Sequence, residues 1–189
     1  MTRNNDVKLL SELPKEKIHE YIFMQLRNLW AADGLYFLNI EKRYGTEIAT
    51  QIDADVWAVM GKIEARKLKE FLGITKADLP SMMQALQFST WALDLEEKEI
   101  IIQENCASIR NTCCRVQNAR KRKGLKEFGC KPVRIKFLQA FAKEFNPDIV
   151  VKCIICPPDK HPDTLWCQWE FTLMRKTRYK KSLMDVLMG

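Results

Sequence analysis

The stretch KCIICPPDKHPDTLWCQWEF, residues 152–171, decides how the second half of this chain folds. It begins within DIVVKCIIC, which is rich in the β-branched residues that favour strands. It runs into TLWCQWEFTLM, which alternates two sets of residues: Leu165, Cys167, Trp169 and Phe171 against Trp166, Gln168, Glu170 and Thr172. Alternation is typical of a strand with one buried face. Two strands around the turn PPDKHPD therefore predict an antiparallel hairpin.

The residues before this hairpin predict one helix and a second hairpin. PVRIKFLQAFAKEF keeps helical spacing of its apolar residues until Asn146 and Pro147. From Trp91 onward, WALDLEEKEIIIQ and IRNTCCRVQ are typical of two strands joined at a polar turn near ENCAS. The order β-β-α-β-β indicates an antiparallel sheet half with one helix.

The first half is predicted to be helical from residue 14 to residue 90. Pro14 suits a first helical position and Gly45 a C-cap. Thr46 would cap a short helix, Asp53 a longer one, and Thr75 the last. One apolar stripe is interpreted as a core face: Ile18, Tyr21, Ile22, Leu26, Leu29 and Trp30.

Together these patterns predict an α+β fold, in which an N-terminal helical layer precedes the β-β-α-β-β sheet half. We divide the chain into a helical part at 1–90, a sheet part at 91–175 and a basic tail at 176–189. The first two parts are expected to form one compact unit.

Composition and net charge indicate the class of protein, its compartment and its partners. With 189 residues, 47% of them hydrophobic, the chain is long enough to bury a core, and it shows neither a secretory leader nor a membrane span. Seven cysteines, two of them adjacent, suit reduced thiols in the cytoplasm. The net charge of +7 lies largely in two runs, 120–126 and 175–181, without interleaved aromatic residues, so nucleic-acid binding ranks last among the functions.

The cysteines of the second half allow four interpretations. Soft sulfur ligands, with His161 as an optional imidazole, would suit zinc or an iron-sulfur cluster. Cys153 and Cys156 have the C-x-x-C spacing of a redox pair. A nucleophilic cysteine would need a base, and His161 is the better placed of two histidines. Reduced cysteines also pack simply as small buried apolar residues.

Acidic residues on the helical half lie among aromatic ones, which is how small-molecule pockets are built. The acidic residues are Asp33, Glu41, Asp53 and Glu64, and the aromatic residues are Trp30, Tyr36 and Trp57. The alternative is that these acids lie on exposed faces or cap helices.

Several segments resemble a family of uncharacterised cytosolic proteins of anaerobic bacteria and archaea. They are DGLYFLNIEKRYGTEIATQID, VWAVMGKIEARKLKEFLG, CRVQNARKRKG, GCKPV and CIICPPDKHPDTLWCQWEF. The layout and the WCQWEF strand are more distantly similar to aminothiazoline-carboxylate hydrolase-like and vinyl-reductase-like small-molecule-binding proteins. The resemblance singles out four cysteines as a candidate metal site, Cys114, Cys130, Cys156 and Cys167, with Cys153 and His161 in reserve. It also gives weight to Asp33, Tyr36 and Glu41 as pocket residues.

These observations lead to two main hypotheses. The first is a small-molecule-binding or sensing module with a metal or cluster at the cysteines, and a ligand site that includes Trp30, Trp57 and Arg115. The second is a hydrolase-like or reductase-like enzyme that attracts a small anion through Arg115 and Arg120, with no catalytic residue assigned. An exposed helical stripe would support a homodimer.

Overall fold

The computed structural model describes residues 3–174. Its elements are α1 (Arg3–Ser11), α2 (Lys15–Tyr44), α3 (Thr46–Phe71), α4 (Leu79–Gln87), α5 (Thr90–Asp94), β1 (Glu97–Ile102), β2 (Cys106–Cys113), α6 (Arg115–Arg122), α7 (Lys131–Phe145), β3 (Ile149–Ile155) and β4 (Cys167–Leu173). The strands form one antiparallel sheet in the order β1-β2-β4-β3. The predicted α+β class is confirmed, while the predicted basic tail lies outside the described residues.

The alternation predicted for β4 sets the buried face of the sheet. Trp169 and Phe171 are fully buried, whereas the residues between them reach the surface. On β2, Ile109 lies opposite Trp169 and Ala107 opposite Phe171, and both are also buried. The inner strands therefore present one continuous apolar face to the helices.

Helices α4 and α7 cover that face, and α3 packs on α7. Helix α7 packs on α3 and on β3, and α4 packs on β2 and β4. Phe137 and Phe141 of α7 are fully buried, and the small residues Gly61 and Ala65 of α3 are buried as well. Small residues on α3 allow the two helices to approach closely.

Four predicted boundaries were wrong for local reasons. Residues 90–94 form helix α5 instead of the start of a strand, because the Ser89 side chain accepts a hydrogen bond from Ala92 N at 3.2 Å. The second strand ends at Cys113 and α6 follows. The last N-terminal helix begins at Leu79, since Asp78 caps it by accepting from Ser81 N at 2.8 Å. The two helices predicted from Thr46 and Asp53 are one helix, α3.

The apolar stripe of α2 is not the core face that we predicted. Leu26 is buried, but Tyr21, Ile22 and Leu29 are 39%, 49% and 42% exposed. A homodimer through this stripe stays a prediction. Despite this apolar surface, within residues 3–174 no helix has both the length and the apolar character needed to cross a membrane.

Candidate functional site

A cavity of about 440 Å³ lies between the helical layer and the edge of the sheet where β4 begins. Helices α2, α3 and α5 provide one side, and α6, α7 and the sheet provide the other. Its wall is mainly apolar, with a small number of polar groups. That volume and composition are typical of a site for a small organic molecule.

Three tryptophans, from α2, α3 and α5, form most of the aromatic part of the wall, beside Phe37 and Phe128. Trp30 on α2 stacks on Trp57 on α3, with ring centroids 4.7 Å apart and an interplanar angle of 14°. The Trp30 Nε1 donates to the carbonyl oxygen of Thr90 at 3.3 Å, which ties α2 to α5 beside Trp91. The wall is thus built by side chains from three helices, and its shape depends on their packing.

Arg134 is a partly buried cation in the wall of the cavity. Its guanidinium carbon lies 4.7 Å from the ring centroid of Trp91, 5.1 Å from Phe137 and 5.8 Å from Trp57. Its Nη1 is buried and has no hydrogen-bond partner in the described part of the chain. Burial lowers the pKa of Arg134, although a guanidinium remains protonated in proteins. The structure therefore holds a charged donor in an apolar wall without a polar partner at that atom.

Arg134 follows Cys130 by one helical turn, and its backbone N–H donates to the Cys130 carbonyl oxygen at 2.9 Å. Residues four apart lie on the same face of a helix. The sequence carried a signal for this residue that we did not use. Arg134 falls between Val133 and Phe137 on the apolar face of α7, where charged residues are rarely found.

Two carboxyl groups lie on the helical side of the cavity. Trp57 Nε1 donates to Asp33 Oδ1 at 3.1 Å. Burial raises the pKa of Asp33, and burial together with the Asp33 charge raises the pKa of Asp53 to about 7. The Arg134 charge opposes both shifts. Near neutral pH Asp53 is therefore only partly ionised.

The sheet side of the cavity carries four thiols. Cys130 Sγ and Cys156 Sγ lie 3.4 Å apart, and the Cys156 thiol also hydrogen-bonds to Cys167. This second hydrogen bond lowers the pKa of Cys167, while hydrogen bonds to Cys130 and Cys167 raise the pKa of Cys156. Burial raises the pKa of Cys114 to about 12. In the part of the chain that the structure describes, no three His, Cys, Asp or Glu side chains form a ready metal site.

Elements of different kinds bring these thiols together. Cys114 and Cys130 occupy the N-cap positions of α6 and α7, Cys156 follows β3, and Cys167 is the first residue of β4. Gln117 fixes the loop between the two helices, since its side chain donates to Phe128 O at 2.7 Å and accepts from Phe128 N at 2.9 Å. The loop that presents Cys130 is therefore held in place by a buried amide.

The structure places most of the predicted site residues in this one wall. They are Trp30, Asp33, Trp57, Cys114, Arg115, Cys130, Cys156 and Cys167. The wall also includes polar residues that we did not predict, Asp94, Asn111, Gln117 and Arg134.

Glu64, predicted as a pocket acid, is buried outside the cavity wall and accepts hydrogen bonds from Thr90 N and Oγ1 at 3.1 and 2.5 Å. Four further predicted residues also lie elsewhere, and we correct their placement. Tyr36 is 75% exposed, because it falls on the outer face of α2. Glu41 accepts from Thr46 Oγ1 at 3.0 Å and pairs with Arg120. Cys153 lies on β3 outside the cavity wall.

His161 is the fourth, and it belongs to the surface turn. Its ring packs against Trp166 at a tilt of 44°, with centroids 4.8 Å apart, and its Nε2 lies 3.3 Å from Glu127 Oε2. Its Nδ1 lies 3.0 Å from the Pro162 carbonyl oxygen. Both ring nitrogens are thus engaged outside the cavity wall.

The two arginines expected to attract an anion already have partners. Arg115 makes a two-nitrogen contact with Asp94, with distances of 2.9 to 3.3 Å. Arg120 donates to Lys126 O at 2.7 Å and pairs with Glu41 at 3.6 Å. Both side chains line the cavity, but their charges are offset.

These features define an α+β protein in which a helical layer closes a ligand-sized cavity over one end of an antiparallel sheet. The chain belongs to DUF6125, a family of unknown function, whose family model matches residues 11–173. No curated protein and no solved structure matches the chain.

Proposed function

We propose that this protein binds a small organic molecule in the cavity between its helices and its sheet. The observation that carries the proposal is the wall itself: about 440 Å³ enclosed by Trp30, Trp57 and Trp91 with few polar groups. A cavity of this kind buries most of the surface of a molecule with one or two rings. The seven free cysteines suit a reducing cytoplasm as the place where it acts.

The cavity can be tested with a neutral apolar dye, N-phenyl-1-naphthylamine, whose fluorescence rises in an apolar site. Three of the five tryptophans lie in the wall, so dye bound there should also quench tryptophan emission by energy transfer. We expect binding of one dye molecule per chain.

Gly34 gives a matched pair of variants for this test. It lines the cavity, and a Cβ at this position would meet nothing within 4 Å. Gly34→Phe should fill part of the cavity and weaken dye binding about tenfold, a loss of about 1.4 kcal/mol, whereas Gly34→Ala should change little. Equal binding to the Phe and Ala variants, with both folded by circular dichroism, would place the dye outside the cavity and contradict the proposal.

A second candidate is the binding of a soft metal ion by Cys114, Cys130, Cys156 and Cys167. The observation that favours it is the contact of Cys156 with both Cys130 and Cys167 on the wall that also holds Cys114. Thiolates are the donors that zinc prefers in structural sites. Zinc, or the iron-sulfur cluster that the same donors suit, would lie beside the small-molecule site, and the thermal stability of the reduced protein with added zinc tests the zinc site.

An enzymatic role of the hydrolase-like or reductase-like kind is also open to proposal. It would use the same cavity, but without His161, whose ring nitrogens are engaged in the surface turn. The proton held by Asp33 and Asp53 would then be the acid nearest to a bound molecule. A turnover that survives Asp53→Asn unchanged would contradict this role for the pair.

A further inference from the structure

Within residues 3–174, Arg134 is a charged side chain of the cavity wall that takes part in no ion pair. Its Nη1 is removed from solvent and donates to nothing in the same range. A buried donor left without an acceptor destabilises a fold, and more so when the donor is charged. The Arg134 side chain lines the cavity and is only partly buried, so an incoming molecule would supply an acceptor to the accessible part of its guanidinium.

In the described part of the chain, the surroundings of Arg134 offset its charge without a direct ion pair. Trp30, Trp57, Trp91 and Phe137 lie 4.7 to 6.0 Å from the guanidinium carbon, which is the distance range of cation–π contacts. The rings hold the guanidinium plane in position, but they accept no N–H in its own plane. Three carboxyl groups, Asp33, Asp53 and Glu64, attract the charge of Arg134, and burial raises the pKa of each. The pKa of Asp53 is raised to about 7, so this group is only partly ionised near neutral pH.

We propose that the natural ligand is a carboxylate with a flat apolar body, and that Arg134 binds its carboxylate group while the tryptophans contact the body. This inference rests on the proposed small-molecule site and names the class of molecule that occupies it. A guanidinium binds carboxylates through two parallel N–H donors in one plane, which a lysine at the same place would not supply. The tryptophan stack at 4.7 Å gives an apolar surface of matching shape beside it.

Ionised thiols of the cavity wall are an alternative source of negative charge beside Arg134. Cys130, Cys156 and Cys167 also favour the charged form of Arg134 when they are ionised. If a thiolate neutralised Arg134 in the resting protein, the guanidinium would not distinguish an anionic ligand from a neutral one. The experiment must therefore separate a carboxylate bound by Arg134 from a guanidinium that serves the sulfur atoms.

Two nearly isosteric probes, 2-naphthoate and 2-naphthamide, make that separation, because they differ mainly in charge. Displacement of N-phenyl-1-naphthylamine would be measured for each probe with the unmodified chain at fixed ionic strength. We expect 2-naphthoate to bind about tenfold or more tightly than 2-naphthamide, which corresponds to one charge-assisted hydrogen-bonding group. Equal affinity would overturn the inference, although displacement by both probes would leave the small-molecule site standing. No displacement and no dye binding would instead overturn the proposed function.

Variants then assign the preference to one side chain. Arg134→Gln should remove it, and Arg134→Lys should retain part of it, because the charge remains without the planar donor pair. Lys143→Gln is the matched control, since Lys143 is an exposed basic residue of the same helix that does not line the cavity, and its loss should leave the preference intact. A preference that survives in Arg134→Gln would overturn the inference. So would a preference that appears only in Cys167→Ser, because Arg134 would then serve the sulfur atom in the unmodified chain.

Discussion

Asp53 lines the cavity, and its ionisation also affects the stability of the fold. Its carboxyl group is half-buried on α3, with Asp33 on α2 and the Arg134 guanidinium on α7 as the charged groups facing it. Burial is the main cause that raises its pKa from 3.8 to about 7, and the Asp33 charge adds to it. Between these two values the folded chain binds more protons than the unfolded chain. The free energy of unfolding therefore falls as pH rises from about 4 to about 7.

Replacing Asp53 by asparagine tests whether this carboxyl group causes the pH dependence of the free energy of unfolding. Asparagine has nearly the same shape as aspartate and cannot ionise. The free energy of unfolding of the variant should therefore equal that of the unmodified chain near pH 4 and exceed it at pH 8. The upper limit of the gain is about 4 kcal/mol, since each pKa unit corresponds to 1.36 kcal/mol, and urea titrations at the two pH values would measure it. Asp55→Asn is the control, because Asp55 is exposed and pairs with Lys136 at the surface. A gain of equal size at both pH values would show that ionisation is not its cause.

The sequence predicted the cysteines and the aromatic residues of the site better than it predicted the charged residues of the site. Cysteines and tryptophans are recognisable because few of them occur and they tend to be buried. Arg115 and Arg120 looked equally suitable as anion-binding residues until the structure showed Asp94 and Glu41 beside them. Arg134 differs from them in its position on the apolar face of α7, which the sequence indicated, and in which groups lie beside it. A single sequence does not show which groups lie beside a residue, because partners come from distant elements.

Gly61 allows helices α3 and α7 to approach each other closely. A Cβ added to Gly61 would come closer to the Phe137 carbonyl oxygen than real Cβ atoms come, and that neighbour is backbone. Gly61→Ala should therefore destabilise the fold by about 1–3 kcal/mol through overpacking. Alanine is the better helix former by about 0.5–1 kcal/mol, so intrinsic propensity alone predicts the opposite sign.

Comparison with Gly34→Ala separates the effect of packing on the stability of Gly61→Ala from the effect of helix propensity. Position 34 is also within a helix, but its Cβ would meet no atom within 4 Å. We expect this variant to be slightly more stable than the unmodified chain in a thermal melt without ligand. If both substitutions stabilised the protein to the same degree, α3 and α7 would not be in close contact at Gly61.

The elements also differ in how well the sequence predicted them. β4 was predicted correctly because Cys167, Trp169 and Phe171 alternate with polar residues, and a period of two residues is typical of a strand and not of a helix. Helix α6 was missed because its eight residues are too few to show a clear period, and the preceding strand ends at the adjacent cysteines. The α2 stripe had a clear period, yet the described chain leaves most of it uncovered. Periodicity indicates that a face is apolar and not what covers it.

For the whole molecule, the four thiols connect parts of the chain that are far apart in sequence. Cys114 begins α6, Cys130 begins α7, Cys156 follows β3, and Cys167 begins β4. A metal ion held by these side chains would join two helices to two strands in the folded state only. Ligands that bind the folded state alone stabilise it, by about 2.7 kcal/mol at a concentration a hundredfold above the dissociation constant. For a chain of this size that corresponds to an increase of about 5–10 °C in the melting temperature.

The measurement is a thermal melt of the fully reduced protein with and without zinc, together with the ultraviolet charge-transfer band that cadmium forms with thiolates. We expect one metal ion per chain and loss of both effects in Cys156→Ser, since Cys156 is buried and contacts two of the other sulfur atoms. Cys106→Ser should retain both effects, because Cys106 is exposed at the start of β2. A melting temperature that zinc does not change, without a cadmium band, would contradict the metal site. The thiols would then serve the cavity as small, buried and polarisable wall residues, which is the role that reduced cysteines have in most protein interiors.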